Sequence, residues 1–464
     1  MAENKTQEIP INNNQRITWE GCSVLLDIND GERMVFERLT PAASLKIGNK
    51  KCSLQPLIGS PFGSLFELEN GENGPFLSRV STVSEGNNND STKEEEESPT
   101  VQESKDNREL IDNNTSQSLT GEDIEEMRRK GAKGAEIIEA LISNSATFDK
   151  KTAFSQEKYR LKKQKKYSPR VLLRRPVTRS ICEAYFKKRP EQIGFLRMDT
   201  LALLLSLANV TSHSDVLVVD MVGGLVTGAI AERLGGKGYV CNAYHGSTPY
   251  SVDIVRMFNF GKEICERIVS CSLKELCSTS NVPSASIDQL EDACNSASQS
   301  NDENTTSFTE AGMVSFEGGN SRTNPETVDS QIPKLNKCTK AGQKAPPEAV
   351  NSWKENGFSS LIVAAPLIDA WSTVKEVLPL LAFSAPFAVY HQYQQPLAQC
   401  MHNLQVEKMA IGLQVSELWL REYQVLPSRT HPQMQMSTAG GYVLSGTRIH
   451  SDKQDVMKQD VMAG

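Results

Sequence analysis

The sequence lacks a C-x-x-C pair, although it contains 10 cysteines among 464 residues. Cys265, Cys271 and Cys277 follow one another at intervals of six residues without a nearby histidine. This spacing argues against a zinc site and favours free thiols in a reducing compartment. No apolar run approaches the roughly 18 residues that a membrane-spanning helix needs, and the opening MAENKTQEIP lacks a signal-peptide pattern. These absences predict a soluble intracellular protein with neither metal nor membrane segment.

Two long segments have almost nothing to bury. Residues 81–118 contain no aromatic side chain, and residues 278–346, rich in Ser, Asn and Thr, contain only Phe308 and Phe316. Such compositions cannot offset the entropy lost on folding, and compact domains rarely carry structureless loops this long. We predict a disordered acidic linker at 81–118, a disordered insertion at 278–346 and a tail at 451–464.

The formal net charge of -7 hides a strong segregation of charge. From Lys150 to Arg189 there are 15 Lys and Arg residues against two acids, Glu157 and Glu183. From Glu85 to Glu126 the balance reverses. A basic block separated from an acidic block indicates a polyanion-binding face and a solvated tether.

The ordered parts divide by their hydrophobic patterns. Alternating apolar residues around the turn Asn29-Asp30-Gly31 predict a β-hairpin, and short strands within residues 12–80 predict a small β-barrel. Residues 119–169 predict a helical, basic connector, with Thr120 and Asp123 as a capping box. Strands alternating with helices predict an α/β, doubly wound, Rossmann-like domain over residues 170–277 and 347–450.

The stretch VLVVDMVGGLVTGAIAERLGGKGYV resembles the first turn of a nucleotide-binding unit. A strand ends at Asp220, and Gly223 and Gly224 follow it. A G-x-G-x-G loop needs glycine at 222, 224 and 226, whereas Val222 and Val226 occupy two of these positions. The second strand, GYVCNAYHG, ends without the acid that holds a ribose. We therefore expect this degenerate loop to bind no cofactor.

With these pieces in order, the chain resembles the family of non-catalytic, tRNA-binding subunits of the eukaryotic tRNA (adenine-N1)-methyltransferase, which modifies tRNA position 58. The resemblance covers nearly all the ordered chain. Its segments are LIGSPFGSLFEL, KYRLKKQKKY, RMDTLALLLSLANV, MVGGLVTGAIAERLGGKG and SELWLREYQVLPSRTHPQMQMSTAGGYVLSG. The last of these segments is long and specific.

The resemblance implies a degenerate paralogue of the catalytic subunit that binds tRNA and scaffolds that subunit in a nuclear heterotetramer of two copies of each. The catalytic partner would bind S-adenosylmethionine and supply the catalytic acid from an Asp-x-Pro turn. The matching turn here is Ala364-Ala365-Pro366, which offers no acid. Asp369 lies nearby, and we interpret it as an ordinary surface or helix-start residue.

The basic block carries the predicted tRNA contacts. In KYRLKKQKKY the cations lie between two tyrosines, which either stack on bases or hold the helix to its domain. On its own, the cluster fits RNA binding, a nuclear localisation signal or a solvated face equally well, and the resemblance favours RNA binding. These candidates are Lys158, Tyr159, Arg160, Lys162, Lys163, Lys165, Lys166 and Tyr167.

Two further patches are weaker candidates. KKRPEQ ends near Pro190, where a helix should stop, and YQVLPSRTHP is a loop stiffened by two prolines. For His431 alone, a structural hydrogen bond in a turn is the simpler interpretation. The resemblance implies tRNA contacts in these patches and at isolated positions, namely Arg108, Lys187, Lys188, Arg189, Gln192, Lys408, Gln424, Arg429, Thr430 and His431.

The sequence is also compatible with two other functions. The chain could be an active S-adenosylmethionine-dependent RNA methyltransferase with an unusual loop. It could also be a general RNA-binding protein without a methyltransferase partner. Retained cofactor affinity would favour the former, and tRNA affinity no better than that for other structured RNA would favour the latter.

Overall fold

The structure is a computed structural model, and it describes residues 16–71, 74–80, 117–278, 340–426, 429–434 and 439–449. The predicted acidic linker, the predicted tail and most of the predicted insertion lie outside these residues, as does Arg108. The insertion was predicted to reach residue 346, but the described chain resumes at Lys340 and Gln343–Lys344 already form a strand.

The N-terminal region forms a five-stranded antiparallel sheet and a separate hairpin. The strands of this region are β1 Ser23–Ile28, β2 Arg33–Arg38, β3 Ser44–Ile47, β4 Lys50–Ser53, β5 Leu65–Gly71, β6 Gly74–Arg79 and β7 Arg170–Arg174. In the five-stranded sheet the order is β2-β1-β7-β5-β6, whereas β3 pairs with β4 in the hairpin. Among the described residues both edges of the five-stranded sheet are open, so a closed barrel is not confirmed.

The predicted boundary at residue 170 is wrong by one strand. Residue 170 was predicted to open the α/β domain, yet β7, which begins there, pairs with β1 and β5 at the centre of the N-terminal sheet. Its buried residues Val171 and Leu173 belong to the core of that sheet. A strand of three apolar residues between two arginines carries no local signal that selects one sheet over another.

Three helices lie between β6 and β7 in the chain: α1 Gly121–Arg129, α2 Gly134–Ser143 and α3 Ala153–Tyr167. The predicted capping box is confirmed, because the Thr120 hydroxyl accepts from the Asp123 amide while the Asp123 carboxylate accepts from the Thr120 amide. A small core of Ile124, Ile137 and Leu141 holds α1 and α2 together.

An α/β region follows. It begins with two helices that lie before its first strand in the chain. Its elements are α4 Thr178–Lys188, α5 Met198–Leu207, β8 Val216–Asp220, α6 Leu225–Leu234, β9 Val240–Tyr244, α7 Lys262–Cys265, β10 Ile268–Ser272, α8 Leu273–Cys277, β11 Gln343–Lys344, α9 Pro347–Asn356, β12 Ser360–Ala364, α10 Ala370–Val377, β13 Pro386–His391, α11 Gln394–Val406, β14 Ala410–Glu417, β15 Tyr423–Leu426, β16 Arg429–Pro432 and β17 Tyr442–Arg448.

The large sheet has the order β11-β10-β9-β8-β12-β13-β17-β14. The strands from β11 to β13 are parallel, and β17 runs antiparallel to both β13 and β14. The chain moves outward from β8 to β10 and then returns to the other side of β8 at β12. A ligand of such a sheet binds where the order reverses, outside the carboxyl ends of the strands.

Apolar layers cover both faces of this sheet. One contains Val218, Val222 and Ile230, and the other contains Leu217, Trp353 and Phe387. The small sheet is tied to the α/β region by the Asn259 side chain, which accepts from the Ser23 amide and donates to the Ser23 carbonyl, both at 2.7 Å. Within the described ranges no helix is long and apolar enough to cross a bilayer.

Candidate cofactor loop and RNA-binding surface

Asp220 ends β8 at the point where the strand order reverses, and its side chain is fully buried. One carboxylate oxygen accepts from the amides of Val222 and Gly224 at 2.9 and 3.2 Å. The other oxygen accepts from the amide and hydroxyl of Thr227, both at 2.8 Å. Burial raises the pKa of Asp220, and the four donors partly offset this effect. The carboxylate therefore holds the loop and the start of α6.

Other residues of the same chain occupy the space beside the two glycines that follow Asp220. Gly223 and Gly224 both have positive φ, 73° and 86°. A Cβ on Gly224 would lie 2.6 Å from the Cα of Val252, and a Cβ on Gly223 would lie 2.9 Å from the Ile254 side chain. A bound cofactor would have to approach the backbone of these glycines closely. Here residues that follow β9 occupy that position.

Both valines that interrupt the glycine pattern are core residues. Val222 and Val226 are fully buried. Val222 also packs near Gly194, where an added Cβ would meet Val222 at 3.1 Å and Pro366 at 3.0 Å. Their side chains fill the volume that glycine would leave open for a ligand.

The neighbouring strands supply no ribose or catalytic acid. Asn242 on β9 is buried, and its oxygen accepts from the Asp220 amide at 3.3 Å. Ala364 ends β12 and is also buried. Asp369 accepts from the Ser372 amide at 2.7 Å and caps α10, which confirms it as a helix-start acid. The residues present therefore do not fit S-adenosylmethionine, and Ala364 can accept no proton.

Sequence analysis did not single out His391, which ends β13 at the same edge of the sheet. Its ring is almost fully buried, and Nδ1 accepts from the Tyr393 amide at 3.0 Å. Burial lowers the pKa of His391 below its ordinary value. Nothing in the local sequence indicates that the histidine at the end of this strand is buried. Among the described residues no cluster of His, Cys, Asp or Glu could hold a metal ion.

The basic helix α3 presents a stripe of cations. Lys158, Lys162 and Lys166 are exposed and four residues apart, so they lie along one side of the helix. Arg160 is also exposed, and Lys163 is half-buried. Burial and the neighbouring Lys166, Lys162 and Lys151 lower the pKa of Lys163. These charges form an extended positive surface of the kind that binds a phosphate backbone.

The two tyrosines of α3 hold the helix to its surroundings. Tyr159 packs edge-on against Phe148 with ring centroids 5.7 Å apart, and Tyr167 packs against the core of α1 and α2. Lys163 lies over both rings, at 5.1 and 5.9 Å from their centroids. Of the two predicted roles, these contacts favour anchoring the helix over stacking on bases.

Two basic segments that are distant in sequence meet at the β1–β2 turn. Lys165 forms a 2.9 Å ion pair with Glu32. Lys187, at the end of α4, lies close to Gly31, where an added Cβ would be 3.5 Å from its Nζ. Lys188 lies near Glu37 and partly offsets the burial that raises the pKa of that carboxyl. The predicted KKRPEQ patch, with exposed Arg189 and Gln192, therefore adjoins the α3 surface.

Arg128 and Lys50 extend this surface and were missed by the sequence analysis. Arg128 on α1 lies 5.3 Å from the centroid of the Tyr167 ring. Lys50 on β4 is close enough for Arg128 to help lower the pKa of Lys50, after burial as the main cause. Both residues lie far from α3 in sequence, so only tertiary packing reveals that they belong to this surface.

The third predicted patch lies on the hairpin of β15 and β16, where Gln424 pairs with His431 and Val425 with Thr430. Thr430 and His431 are exposed, and His431 Nδ1 lies 2.9 Å from the Pro432 carbonyl. Arg429 pairs with Leu426 in the strand register, and Lys408 is exposed in the turn after α11. Among the described side chains, no hydrogen bond or ion pair joins Lys408, Gln424, Thr430 or His431 to α3.

The doubly wound parallel sheet, with the antiparallel strand β17 inserted between β13 and the edge strand β14, is the architecture of Rossmann-like methyltransferases. The chain thus belongs to that class of fold, with a loop that its own residues fill. A family model described as the Gcd10p family matches residues 18–314. The chain belongs to the Gcd10p family.

Relatives in this family carry a functional name. A Dictyostelium discoideum protein named tRNA (adenine(58)-N(1))-methyltransferase non-catalytic subunit trm6 is 34% identical over 443 residues, covering 93% of this chain and 79% of that protein. The Mus musculus protein of the same functional name, TRM6, is 31% identical, and the alignment covers 92% of this chain and 89% of that protein. The alignment with a solved SAM-dependent O-methyltransferase from Thermotoga maritima has 9% sequence identity, covers 96% of this chain and 98% of that chain, and has a TM-score of 0.46.

Proposed function

We propose that this chain is the non-catalytic, tRNA-binding subunit of a methyltransferase that forms 1-methyladenosine at tRNA position 58, as its relatives are named. The observation that carries the proposal is Asp220. Its carboxylate is fully engaged by its own loop, while Val252 covers Gly224. The catalytic partner supplies S-adenosylmethionine and the acid that Ala364 cannot provide.

The positive surface of α3, extended by the end of α4, supports tRNA as the ligand. Folded RNA is recognised largely through its shape and backbone, and a row of exposed lysines suits this task. The same cluster, KKQKK from Lys162 to Lys166, has the composition of a nuclear localisation signal, and we place the protein in the nucleus.

The hairpin of β15 and β16 supports a docking role toward the catalytic subunit. Val425 and Tyr423 are 73% and 55% exposed on it, and Trp419 and Met434 beside it are 76% and 94% exposed. Aromatic and methionine side chains are enriched in protein interfaces, and an exposed apolar group of this kind marks an interaction site. Two copies of each subunit would form the heterotetramer.

Reconstitution tests the proposal. The purified chain, a catalytic partner and their mixture are assayed with radiolabelled S-adenosylmethionine and a tRNA transcript, beside a transcript with position 58 changed. We expect this chain alone to bind tRNA without methylating it and the mixture to methylate only the unaltered transcript. Methylation by this chain alone would instead establish the active-enzyme alternative. Equal affinity for unrelated structured RNA would establish general RNA binding.

A further inference from the structure

A pocket of about 550 Å³ lies between α2, α3 and the N-terminal sheet. Its volume falls within the range of small-molecule sites, about 300 to 1,000 Å³. Helix α2 forms one wall, α3 forms the opposite wall, and the strands β5 and β7 form the end. The lining residues are Glu67, Ala135, Ile138, Glu139, Ile142, Ser143, Arg160, Gln164, Ser168 and Arg170.

The apolar wall of the pocket comes from Ile138 and Ile142. On α2 the buried residues Ile137 and Leu141 face the small core of the connector. Ile138 and Ile142 lie one position further around the helix, are half-buried and line the pocket instead. They offer a flat aliphatic surface on which a planar ring can lie.

Two arginines and two glutamates line the pocket. Arg170 is held by Glu67 at 3.8 Å and by Gln164, whose amide oxygen accepts from the guanidinium at 2.9 Å when turned toward it. Arg160 is exposed, and its guanidinium lies over the Phe148 ring at 5.6 Å. Glu139 lines the pocket from α2 and is exposed. A cation on one wall and a carboxylate on the other fit a ligand with both a phosphate and a hydrogen-bond donor.

We propose that this pocket binds one unpaired nucleotide of the tRNA whose base carries an exocyclic amine. The base lies on Ile138 and Ile142, its amine donates to Glu139, and its phosphate lies near Arg160. Arg160 and Gln164 line the pocket from α3, and their spacing of two residues from Lys158, Lys162 and Lys166 puts them on the other side of that helix. The pocket therefore offers a contact separate from that of a backbone that follows the exposed lysines. This assignment rests on the proposed tRNA-binding function and adds a point of base recognition to it.

Variants that fill the pocket without changing charge test the assignment. Ile138→Trp and Ser143→Phe each place an aromatic ring in the space for the base, and affinity for a labelled tRNA transcript is measured with the full chain at several salt concentrations. We expect binding about tenfold weaker, a loss comparable to that of one stacked base. The slope of log affinity against log salt should fall by no more than about 0.9, the value of one phosphate contact. Val406→Trp, on an exposed position of α11, is the control and should bind normally.

Replacing Glu139 with alanine distinguishes recognition of a base from nonspecific electrostatic attraction of RNA. Glu139→Ala takes a negative charge away from a polyanion site and should strengthen binding if only charge matters. The assignment requires weaker binding, whereas Glu125→Ala, an exposed acid on α1, should change it little. Wild-type affinity in both filling variants, or a gain in Glu139→Ala, would overturn the assignment. If the α3 lysine variants also bind like wild type, the proposed tRNA-binding function fails as well.

Discussion

At the scale of single residues, Asp220 occupies the position of a nucleotide-binding acid but stabilises the loop of its own chain. The sequence places an acid at the end of the first parallel strand, where nucleotide-binding proteins need one. Its position could be predicted because the strand, the acid and the glycines are adjacent in sequence. Its engagement by Thr227 and the covering of Gly224 by Val252 depend on tertiary packing, which no local pattern encodes.

Replacing Asp220 with alanine should destabilise the fold strongly. The substitution leaves the buried amides of Val222, Gly224 and Thr227 without their acceptor, at a cost of about 3 kcal/mol or more. Urea unfolding measures the change. Asp369→Ala, which removes an exposed helix cap, should cost only about 1 kcal/mol. Equal losses in the two variants would contradict the structural role of Asp220.

His391 should make stability depend on pH. Because burial lowers its pKa in the folded state, the unfolded chain binds more protons between that pKa and the ordinary value of about 6.5. The free energy of unfolding therefore falls as the pH is lowered through this window. Denaturation at pH 7.5 and 5.5 should show a smaller fall for His391→Gln than for wild type. The exposed His402 provides a control, because His402→Gln should leave the fall unchanged.

At the scale of elements, α3 combines anchoring and binding on different sides of one helix. Lys165 pairs with Glu32, and the two tyrosines pack inward, while Lys158, Lys162 and Lys166 face solvent. The basic composition was evident from the sequence. Which cations are exposed could not be predicted, because the helix has charges around much of its circumference and packing alone selects the exposed side.

Neutralising the exposed stripe should weaken tRNA binding and its salt dependence together. In the Lys158→Ala, Lys162→Ala, Lys166→Ala triple variant, three phosphate contacts are lost. Each loss lowers the slope of log affinity against log salt by about 0.7 to 0.9. Binding titrations between low and moderate salt measure this slope. Lys165→Ala should have a much smaller effect, and an unchanged slope in the triple variant would exclude α3 from the tRNA contact.

At the scale of the whole molecule, local patterns predicted the α/β class and most of its strands, and long-range pairing decided the rest. The buried strand within LIVAAPL and the hairpin at Asn29-Asp30-Gly31 are present as predicted. The transfer of β7 to the N-terminal sheet was missed because its partners, β1 and β5, lie more than a hundred residues earlier. Convergence of α3 and α4 on the β1–β2 turn was missed for the same reason.

Assembly with the catalytic subunit should depend on the β15–β16 hairpin. Val425→Asp places a charge in the proposed interface, where it would be desolvated without a partner. We expect the variant to remain folded and to lose co-elution with the catalytic subunit in size-exclusion chromatography with light scattering. Val406→Asp, at a position 66% exposed on α11, should assemble normally. Normal assembly of Val425→Asp would place the interface elsewhere.

The most direct test of the central claim is calorimetric titration of S-adenosylmethionine into the purified chain. Val222, Val226 and Val252 fill or cover the loop that a cofactor would approach, so we predict no binding heat at millimolar ligand. Binding in the micromolar range would contradict this account and would require the chain to be assayed as a methyltransferase in its own right.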